Sequence, residues 1–168
     1  MSSISYKKDG AVGVVTMAKP PHKLIDNAML QELASTYARA VEEGCRAILL
    51  RSSMRHFCAG ADLNVLASER WDQKALARLW ASLEDVPVPT VAAVHGAALG
   101  GGFELALMCD MIIAADTASF GMAESSLGLL PLLGGVQRVV QRAGLARGKE
   151  MAMFGRRHDP RARERWGV

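Results

Sequence analysis

Three consecutive glycines followed closely by a glutamate are the residues of this sequence best suited to chemistry. Gly100, Gly101 and Gly102 follow an apolar stretch, and Glu104 comes two residues later. Glycine has no Cβ, so the backbone can approach a ligand closely. A helix that begins here directs unpaired N–H groups and the positive end of its dipole at the same place. The pattern therefore predicts a site for a phosphate or for a developing oxyanion.

The glycine run does not match two well-known nucleotide-binding patterns. A P-loop requires Gly-Lys followed by Ser or Thr, and no such sequence follows here. A dinucleotide-binding G-x-G-x-x-G requires a later glycine, where Glu104 and Leu105 stand instead. From the residues alone, a tight turn that merely packs a strand against a helix stays open as an alternative.

A second stretch of small residues, FCAGADL at positions 57–63, offers another close approach of backbone to ligand. The N–H of Ala61 is a candidate donor, and Asp62 is a candidate helix N-cap. Two N–H groups that converge from separate turns are what an oxyanion hole requires.

A second glutamate, Glu124, follows Phe120 and Gly121 and lies 20 residues after Glu104. Two carboxylates in one pocket can divide the work of acid and base if their surroundings separate their pKa values. Taken singly, each glutamate is more often a surface or capping residue, so the pairing is a hypothesis at this point.

The elements that must position these residues alternate along the chain. A hairpin is predicted from strands at 4–8 and 11–17 around Asp9-Gly10. A helix with Asn27 as N-cap and Gly44 as its end follows. The remaining predicted segments are strands at 46–50, 90–94 and 111–115, helices at 62–70, 73–83 and 102–109, and short helices that open at Gly134-Gly135 and at Leu145. Alternating strands and helices predict an α/β fold with parallel strands, in a single domain over 1–168.

Composition narrows the class of protein. Half of the 168 residues are hydrophobic and 22% are charged, which is typical of a globular chain. No apolar run reaches the roughly 18 residues of a membrane span, and the N-terminus has no signal-peptide core. Three cysteines without close pairing favour reduced thiols in a cytoplasm-like compartment. No Cys/His cluster has metal-ligand spacing.

The net charge of +3 is unevenly distributed, because residues 141–168 alone carry eight Lys/Arg and three Asp/Glu. Such a basic segment can meet the phosphates of a nucleic acid or nucleotide, or can simply be a solvated helical face. RNA binding is disfavoured because no aromatic residues alternate with the arginines to form a stacking platform.

Taken together, these motifs resemble the crotonase (enoyl-CoA hydratase/isomerase) superfamily. Residues 57–63 are similar to its first oxyanion-hole motif, and residues 94–106 are similar to its second. Later matches continue in the same order at Cys109-Asp110, Phe120-Gly121, Glu124, Leu127-Gly128, Pro131 and 134–138. The resemblance covers residues 4–168, and the order and spacing of the motifs make it specific.

The resemblance implies a crotonase-like spiral of ββα repeats, the ClpP/crotonase type. It implies subunits assembled as a trimer or a dimer of trimers, in the cytoplasm, with no membrane or nucleic-acid partner. The N–H groups of Ala61 and Gly101 would form the oxyanion hole for the thioester oxygen of an acyl-CoA. Coenzyme A is then part of the substrate, and neither a separate cofactor nor a metal is expected. The residues expected to line the substrate are Lys23, Leu24, Ala59, Gly60, Ala61, Asp62, Leu63, Asn64, Gly100, Gly101, Pro131 and Leu132.

The activity implied by the resemblance is that of a lyase, the hydration of a 2-trans-enoyl-CoA to a 3-hydroxyacyl-CoA through a thioester enolate. Glu104 and Glu124 match the positions of the two glutamates of hydratases. Alternatives within the superfamily are a double-bond isomerase, which can work with one glutamate at the Glu124 position, a decarboxylase and a thioesterase. A CoA-binding or assembly module without turnover is the alternative from another class.

Two departures from the family pattern bear on hydration. Leu132 and Leu133 follow Pro131, where the family usually has a glycine beside the attacking water, and Met122-Ala123 replaces the commoner Gln-Pro before Glu124. Family members also continue with C-terminal helices that pack in the trimer and cover the acyl pocket. The shorter length predicts impaired or absent turnover unless contacts between subunits compensate.

Overall fold

The computed structural model describes residues 3–18, 24–61 and 73–168. Its strands are β1 (Ile4–Asp9), β2 (Val12–Met17), β3 (Leu24–Ile25), β4 (Ala47–Ser52), β5 (Gly60–Ala61), β6 (Thr90–Val94), β7 (Ala97–Leu99), β8 (Met111–Ala114) and β9 (Ser119–Gly121). Its helices are α1 (Asn27–Glu42), α2 (Gln73–Glu84), α3 (Gly101–Met108), a 3₁₀ helix (Ala123–Leu127), α4 (Gly135–Ala143), α5 (Leu145–Phe154) and α6 (Pro160–Trp166).

The main sheet has the order β1-β2-β4-β6-β8. The predicted hairpin is confirmed: β1 and β2 pair antiparallel around Gly10, whose φ of 58° is the left-handed conformation that glycine adopts without strain. The other pairs are parallel, as the alternation of strands and helices predicted. One row of paired residues, Val15, Leu50 and Ala92, runs through the sheet with no exposed surface and marks the centre of the core.

The N-cap of helix α1 lies one residue before the predicted position. Asp26, not Asn27, is the N-cap, and its carboxylate accepts a hydrogen bond of 2.8 Å from the Met29 N–H. The two residue types cap equally well, so the extended backbone at Asp26 decides between them, and the sequence does not show that conformation. The predicted apolar stripe is confirmed, since Leu30, Leu33, Tyr37 and Ala40 are all buried.

The remaining predicted elements fall within a residue or two of the observed ones, except the helix at 62–70, which with its Asp62 cap lies outside the described residues. Two short parallel pairs, β3 with β5 and β7 with β9, were not predicted. Two or three residues are too few to show a period of two.

These short pairs bring three distant loops together. Leu99 donates its N–H to the Cys58 carbonyl at 3.0 Å, and Gly100 donates to the Gly121 carbonyl at 2.8 Å. The glycine turn before α3 is thereby fixed between the two other stretches that the sequence singled out, the segment ending at Ala61 and the strand that precedes Glu124.

Gly102 shows how tightly α3 packs in this arrangement. A Cβ at this position would lie 2.3 Å from the Cys58 carbonyl oxygen and 2.7 Å from the Cys58 Cβ. We therefore expect Gly102→Ala to lower the free energy of unfolding by about 1–3 kcal/mol in urea denaturation. Gly101→Ala is the matched control, because its Cβ would meet no atom closer than 3.5 Å. Equal stability of the two variants would contradict the packing argument.

Three further features of the described residues concern membranes, metal ions and disulfides. No helix among them is long and apolar enough to span a membrane. No group of three or more His, Cys, Asp or Glu side chains in the same ranges is placed to hold a metal ion. The cysteines, all within the described ranges, are buried and form no disulfide.

Candidate active site

Gly100 lies at the centre of the candidate site. It is the N-cap of α3, with φ 52° and ψ −128°, a conformation that L side chains rarely adopt. A Cβ on Gly100 would also lie 2.9 Å from Glu124 Oε1. The turn therefore requires glycine for its torsion angles, and a side chain here would also have to displace the Glu124 carboxyl.

The Ala61 backbone nitrogen lies close to Gly101, the residue that carries the other predicted oxyanion-hole donor. A Cβ added to Gly101 would be 3.6 Å from the Ala61 backbone nitrogen. The same point is 3.5 Å from Leu133 Cδ1 and 3.6 Å from Ile25 Cδ1, so apolar side chains flank these groups. Because Gly101 is the first residue of α3, its N–H has no acceptor within the helix.

Glu104 lies in the first turn of α3 and is only 2% exposed. Its Oε1 accepts two backbone hydrogen bonds, from the Leu133 N–H at 2.9 Å and from the Gly135 N–H at 2.8 Å. A Cβ on Gly135 would lie 2.6 Å from Glu104 Cγ, so this glycine lets the start of α4 close over the carboxylate. Buried polar groups of this kind are costly unless they are hydrogen-bonded.

The surroundings of Glu104 raise its pKa to about 7. Burial is the largest cause, because it penalises the charged carboxylate, and the negative charge of Glu124 acts in the same direction. The N–H groups of Gly135 and Leu133 and the charge of Arg138 oppose the rise. A carboxyl with a pKa near neutrality can exchange protons at physiological pH.

Glu124 lies in the first turn of the 3₁₀ helix, and burial raises its pKa above the ordinary value. Its Oε2 is buried and has no hydrogen-bond partner among the described residues. Burial disfavours the charged form of this carboxyl, whereas the N–H of Glu124 itself acts in the opposite direction. The structure thus brings Glu104, Glu124, Ala61 and Gly101 together around one turn.

The other residues expected to line the substrate divide into three groups. Lys23, Asp62, Leu63 and Asn64 lie outside the described residues. Leu24 pairs with Gly60 in the short β3–β5 ladder, which ends at Ala61, and Ala59, which precedes it, is exposed. Pro131 is half-buried at the start of the loop before α4.

The two leucines after Pro131 differ in exposure and in their contacts. Leu132 is 58% exposed, whereas Leu133 is 8% exposed and supplies one of the N–H groups that hold Glu104. Sequence reasoning missed Leu133 and Gly135 as partners of Glu104. The glycine pair at 134–135 is predicted as a helix start and as part of the family pattern, and it is the available signal for a close backbone approach.

Known proteins resemble this chain in sequence over most of its length. The sequence profile described as Enoyl-CoA hydratase/isomerase matches residues 7–168. A probable enoyl-CoA hydratase from Mycobacterium tuberculosis is 37% identical over 99% of this chain. A 2,3-dehydroadipyl-CoA hydratase from Escherichia coli is 34% identical over 92% of the chain.

Solved structures agree with the sequence comparisons. Enoyl-CoA hydratase subunit I from Geobacillus kaustophilus superimposes with a TM-score of 0.91 at 36% identity, over 99% of this chain and 66% of its own length. This chain likewise spans 66% of the Mycobacterium tuberculosis relative and 63% of the Escherichia coli one. The predicted crotonase-type fold is confirmed, and the chain belongs to the enoyl-CoA hydratase/isomerase family.

Proposed function

We propose that this protein catalyses the hydration of a 2-enoyl-CoA to a 3-hydroxyacyl-CoA. One observation carries the proposal: Glu104, which is buried, and Glu124, which is half-buried, both lie at a helix N-terminus beside the Ala61 amide. Two carboxyls and an oxyanion hole are the groups that the addition of water to a conjugated thioester needs. Relatives named as hydratases of enoyl-CoA and of 2,3-dehydroadipyl-CoA support it.

The N–H groups of Ala61 and Gly101 donate hydrogen bonds to the thioester carbonyl oxygen. As water adds to C3, the double bond becomes an enolate and the negative charge moves onto this oxygen. Backbone donors that are already in place stabilise this charge without reorganising, and one such donor typically contributes ~10²–10³-fold in rate.

Burial raises the pKa of both carboxyls, and the two carboxyls differ in the donors that reach them. Two N–H donors hold Oε1 of Glu104, and donors of this kind favour the carboxylate. No donor from the described residues reaches Oε2 of Glu124, which favours the neutral acid. We assign Glu104, whose pKa of about 7 allows it to exchange a proton near neutral pH, as the base that activates water. We assign Glu124, whose Oε2 has no donor among the described residues, as the acid that protonates C2.

The reaction balances with these roles. Glu104 takes a proton from water as the oxygen forms a bond to C3, and the C2–C3 π electrons move to the enolate. The enolate then takes the proton of Glu124 at C2, which restores the thioester carbonyl. A net transfer of the proton from Glu104 to Glu124, through product or solvent, resets the site.

The assay that tests the function follows the absorbance of crotonyl-CoA. Hydration consumes the conjugated enoyl thioester, so the absorbance falls and 3-hydroxybutyryl-CoA appears in stoichiometric amount. The reverse signal, a gain in absorbance from a 3-enoyl-CoA together with no hydration, would replace hydration by isomerisation. Binding of CoA thioesters without turnover of either substrate would instead identify a binding module.

Glu124→Gln tests the role of the second carboxyl. We expect kcat for hydration to fall by ~10²–10⁴-fold, because an amide cannot deliver the proton to C2. Binding of acetoacetyl-CoA, measured by calorimetry, should change little. Glu150→Gln is the matched control, since Glu150 pairs with Arg147 at the surface at 2.6 Å. Comparable rates for the two variants would remove Glu124 from the mechanism.

A further inference from the structure

Helix α4 carries two arginines one turn apart, and both donate to backbone carbonyls outside their own helix. Arg138 Nη1 donates to the Leu133 carbonyl at 2.5 Å. Arg142 Nη2 donates to the carbonyls of Leu107 and Cys109 at 3.2 and 2.8 Å, at the C-terminal end of α3. These contacts tie α4 to the helix that carries Glu104 and to the loop that holds the Glu104 carboxylate.

The other edge of the Arg138 guanidinium is held by Glu84, the last residue of α2. Arg138 Nε donates to Glu84 Oε1 at 2.6 Å, and Nη2 contacts the same oxygen. The guanidinium lies over Gly134, where a Cβ would be 2.5 Å from Nη1. The positive φ of 80° at Gly134 and the absence of a side chain allow this approach.

Leu133 is therefore held at both of its backbone polar groups. Its carbonyl accepts from Arg138, and its N–H donates to Glu104, while Gly135 supplies the second N–H to the same oxygen. A planar guanidinium suits this arrangement, because its several donors are oriented rigidly. A flexible or uncharged side chain would leave the loop free to withdraw its N–H groups from the carboxylate.

We infer that Arg138, anchored by Glu84, is a positioning residue that holds the Leu133–Gly135 turn against the Glu104 carboxylate. Its catalytic consequence rests on the proposed function, whereas the structural part does not. Arg138 is not itself a catalytic residue, since the contacts described for it are with Leu133 and Glu84.

Electrostatics act in the same direction as the geometry. Burial dominates and raises the pKa of Glu104, and the charged neighbours that modify it are Glu124, which raises it, and Arg138, which lowers it. Loss of Arg138 removes a positive charge and loosens two N–H donors, and both changes favour the protonated carboxyl.

The first experiment titrates the glutamate carboxyls by NMR in protein labelled with ¹³C-glutamate, with the Glu104 signal identified by its absence in Glu104→Gln. The pKa of Glu104 should be higher in Arg138→Met than in the wild type. Arg39→Met is the matched control, because it removes the same charge from an exposed pair with Glu43 at 2.8 Å. An unchanged Glu104 pKa in a folded Arg138→Met variant overturns the inference.

The second experiment measures kinetics on the same variants. Arg138→Met should lower kcat by ~10–100-fold with KM within threefold, because a small misplacement of a catalytic group has an effect of this size. Arg138→Lys should recover part of the rate, and Glu84→Gln should fall between Arg138→Met and the wild type. A loss of Tm without a change in kcat or its pH profile would show a merely structural role.

The two experiments separate this inference from the proposed function. If the wild type hydrates no enoyl-CoA, the proposed function fails. The NMR titration still tests whether Arg138 is a positioning residue for Glu104. If the wild type is active and the Glu104 pKa is the same in Arg138→Met, the inference fails and the proposed function stands.

Discussion

Glu104→Gln is expected to lower the hydration rate by ~10²–10⁴-fold and at the same time to stabilise the folded protein above pH 7. The amide can still accept the hydrogen bonds from Leu133 and Gly135, so the turn should remain in place. It cannot take a proton from water, so the catalytic step that depends on a base is lost. Stopped-flow or steady-state hydration of crotonyl-CoA measures the first effect.

The gain in stability follows from the direction of the pKa shift. The pKa of Glu104 is about 7 in the folded protein, above its ordinary value of 4.5. A raised pKa means that the folded state binds the proton more tightly, so stability is greatest below pH 4.5, falls as the pH rises to about 7, and is level above that. Ionised Glu104 then costs on the order of 3 kcal/mol, which glutamine removes.

Urea denaturation at pH 5 and pH 8 measures this second effect. The wild type should lose stability between the two values, and Glu104→Gln should lose much less. Glu164→Gln is the control, because Glu164 is exposed on α6. A Glu104→Gln variant that hydrates crotonyl-CoA at the wild-type rate would show that Glu104 is not the base, and would favour chemistry through Glu124 alone.

The second large effect is expected from Gly101→Pro, which deletes one donor of the oxyanion hole. Proline is tolerated at the first position of a helix, because the N–H that it lacks has no partner there. The preceding Gly100 has a mirror-image extended conformation (φ 52°, ψ −128°) that remains accessible to glycine before proline. We expect kcat to fall by ~10²–10³-fold with only a small change in the unfolding midpoint.

Gly101→Ala separates the lost N–H from the added carbon. Both variants place a Cβ near Leu133 and Ile25, but only alanine retains the donor. The ratio of the hydration rates of Gly101→Ala and Gly101→Pro therefore measures the combined effect of the lost N–H and of the space taken by the proline ring. If both variants hydrate equally well, the Gly101 amide does not bind the oxyanion.

The sequence predicted the parts of the fold that depend on local patterns. The hairpin at Asp9-Gly10, the apolar stripe of α1 and the buried strand at Thr90–Val94 follow from turn chemistry and periodicity. Glu104 and Glu124 were singled out by residue type, and their convergence was expected only from the resemblance to a family. Glu124 reaches the turn at Gly100, just before Glu104, only through the tertiary fold, because 20 residues and two further elements separate the two glutamates.

The remaining features depend on contacts that leave no periodic signal. The short β7–β9 pair that fixes the glycine turn has three residues in each strand. The N–H groups that hold Glu104 belong to Leu133 and Gly135, and a backbone donor is not encoded by side-chain type. The sequence places Arg138 in a motif, and its link to Leu133 and Glu84 becomes visible only when α2 and α4 are placed together.

Gly100 also limits how the site can evolve. Any L side chain there meets two independent obstacles, an unfavourable φ of 52° and the Glu124 carboxyl 2.9 Å from the new Cβ. Shortening Glu124 to aspartate would relieve the crowding but not the torsion, and would also move the acid. No single compensating substitution removes both obstacles, so descendants that keep two-carboxyl chemistry are confined to glycine at this position. Replacement of Gly100 during divergence should therefore accompany a change in the reaction itself.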